Sequence, residues 1–423
     1  LEENNIETIS ANAFVNCATL EQIDLFKNGI KSLQPGAFAG LVNLVTLSMQ
    51  SNELSDLSAR SFEQMMKLES LQIGFNKLER IDAEAFQGLT NVKSISLNVN
   101  LLTQLDPEIF SSLPSLTSVN LASNLIESIA LKSSTVTDLI MSNNKISRVT
   151  DSFAELTSLR ILNLYENGVE AIDDLAFENM PQLVSLLLFN NKIKIISEST
   201  FKNLVGLENL ELRRNQITEI HPNAFDDLLS LRSLQLAENS IETLAPDTFQ
   251  SLMDLRDLYL GMNEIVEFPE NLFKPLSNLQ RLNFVNNPIS KLDGVPFGLM
   301  PAVTRIDLNN CKVNAIERTF FTNFPALVSF NANGNLCIET NVILSNVDFN
   351  AGTPFDKCFR NFDTPPGEPT DPPTTPPTTE GAPKSPTPAP STPTSTTTDG
   401  ANSHSGMSLM IVIGVVALFK NVF

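Results

Sequence analysis

Asparagine returns in this chain with a period that few folds can accommodate. It stands at positions 4, 28, 52, 76, 100 and 124, each 24 residues after the last. The series resumes at Asn144, Asn167, Asn191, Asn215, Asn239, Asn263 and Asn287, then passes through Cys311 to Asn335. Apolar residues precede each at fixed offsets, as in Leu231, Leu234 and Leu236 before Asn239, and another follows two places on, as at Ile30, Ile193, Ile217 and Ile241. Ten residues after most of these asparagines comes a phenylalanine: 14, 38, 62, 86, 110, 177, 201, 225, 249, 273, 297 and 321. Amphipathic helices would bring apolar positions back about every 3.6 residues, so this longer period marks a repeated supersecondary unit instead.

Two leucines separated by one residue point the same way from a short strand. One coil cannot bury that interior by itself, so successive coils must stack and share it. The asparagine falls where the chain turns inward at the strand's end, and its amide has the donors and acceptor to satisfy buried backbone groups of adjacent turns. The phenylalanine supplies a large apolar ring for the wide convex side.

The unit resembles the 24-residue repeat LxxLxLxxNxIxxLxxxxFxxLxx of animal extracellular leucine-rich repeat proteins, which LRSLQLAENSIETLAPDTFQSLMD (231–254) matches at nearly every fixed position. The resemblance covers Leu1 to about Asn335. It implies an α/β solenoid: a leucine-rich repeat horseshoe with a parallel concave sheet and about 14 repeats over residues 1–335. Two irregularities interrupt it. The repeat from Leu116 to Val136 has 20 residues and no phenylalanine, and the next, to Leu159, has 23. A change of curvature is expected there, read as a shortened convex side in preference to a hinge. Cys311 in an asparagine slot and Cys17 three residues after Phe14 both read as structural.

A stacked solenoid leaves an apolar end that needs a cover. Residues 336–361, LCIETNVILSNVDFNAGTPFDKCF and its flanks, look like a C-terminal cap closed by a Cys337–Cys358 disulfide. This resembles the two-cysteine caps of some insect leucine-rich repeat proteins and lacks the CxC and tryptophan of the four-cysteine type. The disulfide presumes an extracellular setting. The opening LEENNIETIS reads as the middle of a repeat, so a leader and N-terminal cap are expected ahead of Leu1.

Past the cap, residues 362–399 are rich in Pro, Thr and Ser and too poor in apolar side chains to fold onto a core. They read as a disordered, O-glycosylated stalk of polyproline character, able to extend roughly 100 Å at about 3.1 Å per residue. Residues 400–423 follow with a polar spacer and an apolar run from Leu409 to Phe419, about half of what a helical span needs. That order matches a glycosylphosphatidylinositol attachment signal, removed on lipidation at Asp399 or, alternatively, Asn402. The expected address is the outer face of the plasma membrane, with the membrane as a partner through the lipid alone.

A net charge of −20 argues against nucleic acid, which needs a clustered basic surface, and against docking on anionic lipid. The two histidines, His221 and His404, have neither metal-ligand spacing nor a nucleophile partner, and glycine-rich phosphate loops are absent. The sequence therefore assigns no catalytic residue, metal or cofactor.

Binding is better supported. The residues between the inward leucines line the concave face, and that register places Tyr165, Glu166, Phe189, Glu211, Arg213, Arg214, Glu238, Tyr259, Met262 and Arg281 there, with Phe26 and Phe75 further upstream. Tyrosine and arginine are the usual anchors of protein interfaces. The expected function is cell recognition or adhesion through an extracellular protein ligand or co-receptor. Recognition of microbial surfaces in innate immunity and a coat protein without a specific ligand are the alternatives. The overall layout is also similar to lamprey variable lymphocyte receptors and insect adhesion proteins.

Overall fold

The computed structural model describes residues 1–344, apart from 129 and 154, and residues 353–363. These fall in the first of two units, Leu1–Glu368. The expected stalk beyond Asp363, the attachment signal and both candidate lipidation residues, Asp399 and Asn402, lie outside the described residues.

Each coil contributes one three-residue strand with a buried apolar centre and two half-exposed flanks, such as Ser233–Gln235 around Leu234. Stacking joins them into a fifteen-stranded sheet running from Gln22–Asp24 to Asn341–Ile343, and all but the last strand are parallel. Fourteen parallel strands match the expected number of repeats. Register never slips: Leu210 lies beside Leu234 and Leu234 beside Leu258. Five two-stranded parallel ladders, for example Asp56–Leu57 with Arg80–Ile81, follow on the next side of the coil.

The phenylalanines form the opposite wall. From Phe14 through Phe38, Phe62 and Phe86 to Phe110, ring centroids repeat every 5.9 to 6.1 Å. From Phe177 to Phe273 they repeat every 6.1 to 6.4 Å, with planes turned 10° to 23° from ring to ring. Strands in a sheet repeat at about 4.8 Å. The stack is therefore longer on the ring side than on the sheet side, and the sheet becomes concave.

The asparagines tie coil to coil. Asn239 Nδ2 donates to the Leu236 and Ala237 carbonyls of its own turn at 3.0 and 3.3 Å and to the Leu212 carbonyl of the preceding coil at 3.0 Å. Its Oδ1 accepts the Ile217 N–H at 3.1 Å. The short repeat keeps this pattern: Asn144 donates to Leu121 and accepts from Ile126, both at 3.0 Å. Its economy falls on the far side, where Leu131 and Ser133 are buried without a phenylalanine. A groove of about 830 Å³ opens beside this region, between Arg80–Ala83 and Leu101–Pro107. Phe153, nine residues after Asn144 and so outside the ten-residue series, is nevertheless buried in a 3₁₀ turn, Asp151–Phe153.

Cys311 takes the asparagine's place with one weak donor, its Sγ lying 3.3 Å from the Phe284 carbonyl, and burial pushes the thiol up to about 11. Cys17 packs partly buried against the core. In the last coil the sequence register is off by one. Phe320 is the buried ring, packed edge-on to Phe297, while Phe321 turns toward Phe330 and Phe355 of the terminal layer.

That layer packs on the end of the last coil. Strand Asn341–Ile343 closes the sheet antiparallel to Ser329–Asn331, and a helix, Asp356–Asp363, covers the coil beneath. Thr353, Pro354 and Asp356 start this helix as a capping box: Asp356 accepts the Thr353 N–H at 3.1 Å, and Thr353 Oγ1 accepts the Phe355 N–H. Cys337 and Cys358 are joined as expected, their Cα atoms 5.0 Å apart. Arg318 stacks on Phe359 and pairs with Asp363 at the end of this helix.

Candidate functional site

Sheet side chains that do not point inward stand on the concave face, in rows running from coil to coil. One row lies just beyond each strand, two residues before the asparagine. In three successive coils it holds Tyr165, Phe189 and Arg213. Tyr165 and Phe189 stack face to face with centroids 4.5 Å apart and planes 2° apart, and the Arg213 guanidinium lies 5.8 Å from the Phe189 centroid. The Asn163 side chain accepts the Tyr165 N–H at 3.1 Å and so fixes where the ring leaves the backbone. A one-per-coil repeat sets the spacing of this stack, since neighbouring strands sit at about the distance aromatic rings prefer.

The next row is left-handed in every coil. Lys27, Ser51, Phe75, Val99, Ser123, Asn143, Glu166, Asn190, Arg214, Glu238, Met262, Asn286 and Asn310 all have φ between 52° and 59°. This conformation is rare for non-glycine residues, Val99 most of all. Here each amide donates to a carbonyl of the following coil, as Arg214 does to Ala237 at 3.0 Å, and the stack holds the backbone in place. Its side chains form the rim of the face. Phe75 and Met262 are about half exposed there, 48% and 50%.

Charges on the face are mostly matched. Glu238 accepts from Arg214 at 2.7 Å and approaches Arg213 at 3.9 Å. Arg281 pairs with Asp257 through both carboxylate oxygens, one contact at 2.8 Å, and Arg305 pairs with Asp307 at 2.8 Å. Both guanidinium groups are held more firmly charged by these bonds. The Glu211 carboxylate has no ion pair or hydrogen bond among the described residues, although its backbone carbonyl accepts the Leu188 N–H at 2.9 Å. Burial raises its carboxyl, with Arg213 opposing. Tyr259 is raised by burial first and then by Asp257, with Glu211 and Asp307 adding to the effect, and Tyr165 by burial and Glu166.

The structure thus joins Tyr165, Phe189, Arg213, Arg214 and Glu238 into one contiguous group. Tyr259 and Arg281 form a second group beside it, and Glu211 lies between the two. Glu166 and Met262 stand on the rim, while Phe26 and Phe75 are several coils away. Asp257, Arg305 and Asp307 escaped the sequence reading although they occupy the same register as Tyr259 and Arg281. The register alone would have found them. Among the described residues no His, Cys, Asp and Glu group is arranged for a metal, and no helix is long and apolar enough to cross a membrane.

Comparison with known proteins agrees with this architecture. Residues 7–137 match six copies of the BspA type Leucine rich repeat region, and overlapping pairs from 134 to 289 match the Leucine rich repeat family. The chain is a leucine-rich repeat protein. Among solved structures it is similar to a leucine-rich repeat protein of Leptospira interrogans, at 23% identity over 79% of this chain and 83% of that one, with a TM-score of 0.63. It is also similar to a chain of the Drosophila Toll–Spatzle complex, a hub in development and innate immunity, at 21% identity and a TM-score of 0.57. That match covers 78% of this chain and 52% of the other, so this chain spans about half the other's length. No curated protein matches in sequence. With 473 solved chains matching, the fold carries no particular partner with it.

Proposed function

We propose that this protein binds a protein ligand on its concave face, over the coils from Tyr165 to Arg305, and serves recognition or adhesion at the outer cell surface. The observation that carries the reading is the Tyr165–Phe189–Arg213 stack. It is an ordered row of the residue types that anchor interfaces, half-exposed on a face whose arginines are paired and held in place. Solenoids of this kind present extended concave surfaces for partners. The cap disulfide favours an oxidising compartment. The Thr/Pro-rich segment and the short apolar terminus support a lipid tether at Asp399, which would leave every binding group outside the cell.

Cells displaying the full chain test this directly. Against a suspension of non-expressing cells of the same tissue, wild-type cells are expected to cluster. A Tyr165→Ala, Phe189→Ala, Arg213→Glu variant expressed at equal surface density should lose most of that clustering, while Leu229→Ala with Met253→Ala, two exposed residues away from the sheet, should not. Equal clustering by both variants would reject the concave face.

A further inference from the structure

Glu211 is out of keeping with its surroundings. Arg213, Arg214, Arg281 and Arg305 each have a carboxylate within 4 Å, and Arg232 and Glu208 pair at 2.8 Å on the neighbouring row. Glu211 has none, although it is half-buried between Leu187 and Gln235 in the sheet. A partly desolvated carboxylate without a partner costs stability, and such groups are ordinarily paired. Nothing in the coil requires it, because the same register position holds Ser, Gln, Asn, Tyr, Ile or Leu elsewhere, and its two other carboxylates, Asp24 and Asp307, accept from the Phe26 N–H and Arg305.

Two coils along the same row stands Tyr259, roughly 10 Å from Glu211 at about 4.8 Å per strand, with Gln235 between. In the adjacent row the coils that carry Tyr165, Phe189 and Arg213 give way to Ala237 and Gly261, which have almost no side chain. Gly261 is itself buried, covered by the Asn283 side chain and the Val285 carbonyl, which lie 2.8 and 3.1 Å from where a Cβ would stand. This part of the face therefore carries an unpaired carboxylate and, two coils on, an aromatic ring, with Gln235 between them and the Tyr165–Phe189–Arg213 stack adjoining.

We infer that this part of the concave face receives a basic side chain, lysine or arginine, of the protein partner, paired with Glu211 and resting against Tyr259. The inference rests on the proposed function and names the chemistry of its ligand. A carboxylate supplies the charge complement, and an aromatic face attracts a cation that must shed water to enter. Arg213 is no substitute for that guest. It is drawn toward Phe189 and Glu238 and leaves Glu211 without a contact within 4 Å.

The test uses a displayed library of random twelve-residue peptides, selected on the immobilised full-length protein and counter-selected on the Tyr165→Ala, Phe189→Ala variant. Recovered peptides are expected to be enriched in Lys or Arg next to an apolar residue. Glu211→Gln should weaken them about 10- to 100-fold, the range for a partly buried charged hydrogen bond. Glu178→Gln, which changes an exposed carboxylate by the same amount, should leave them unchanged and so excludes general attraction to an acidic protein. Peptides that need Tyr165 and Phe189 but carry no basic residue, or that ignore Glu211→Gln, overturn the inference and leave the concave face standing. Peptides that lose as much with Glu178→Gln, or a selection that shows no basic enrichment, also overturn it. Selected peptides indifferent to Tyr165, Phe189 and Glu211 alike contradict both readings.

Discussion

At the scale of the residue, one amide group per coil answers several buried backbone groups at once. Replacing Asn215 by alanine removes the partner of the Ile193 N–H and of the Leu188 and Leu212 carbonyls, all in the buried ladder. The expected loss is on the order of 2–4 kcal/mol, read as a lower urea midpoint. Cys311→Asn makes the converse case. The thiol leaves the Ile289 N–H without a partner among the described residues, so the carboxamide should raise stability by about 1 kcal/mol. Glu211 supplies a test by pH. Its folded pKa lies above the unfolded value of about 4.3, so the native state holds this proton to higher pH than the unfolded chain. Its contribution is neutral below that value and becomes a cost as pH rises through the folded pKa. Glu211→Gln should therefore melt at a higher temperature than wild type at pH 7, and the two curves should converge as pH falls toward 4. A Glu211→Gln protein no more stable at pH 7 would show that the carboxylate is not desolvated.

At the scale of the element, how much could be read from sequence depended on whether position or packing decided the matter. The strands, the asparagine ladder and the phenylalanine wall were legible because every coil repeats the same solution at the same spacing. Phe153 was missed because the coil reaches its buried wall one residue early, and Phe320 and Phe321 exchanged roles because the cap requires a ring facing outward. The left-handed row was not legible at all. Lys27, Phe75 and Val99 give no local signal for that conformation, which the neighbouring coil imposes through its carbonyls. Of the candidate site, the register placed the aromatic and arginine residues on the concave face but could not show that Tyr165 and Phe189 stack, or that each of these arginines, but not Glu211, has a partner. Those are distances, and a register gives only neighbours. The cap was read from two cysteines alone, and its bond closes a loop with a sequence separation of 21. Replacing Cys337 and Cys358 by serine should cost about 2–4 kcal/mol. Hydrogen exchange should show the loss mainly at Asp356–Asp363 and the last strands, with the coils around Asn215 protected as before. Uniform loss of protection would mean that the cap does not end the cooperative unit locally.

At the scale of the whole molecule, the proposed function has two separable parts, a concave binding face and a lipid tether. Phosphatidylinositol-specific phospholipase C should release the full-length protein from expressing cells, and Asp399→Trp should lower the released fraction severalfold. Retention on the membrane after treatment would contradict the lipid tether without touching the face. The face itself is tested most directly by placing a photo-reactive residue at Phe189, within the stack, and in a parallel protein at Leu229, exposed away from the sheet. Illumination of displaying cells with their natural neighbours should give a discrete protein adduct from position 189, abolished by Tyr165→Ala, and none from position 229. An adduct from 229 with none from 189 would contradict the claim that this protein meets its partner through the concave face.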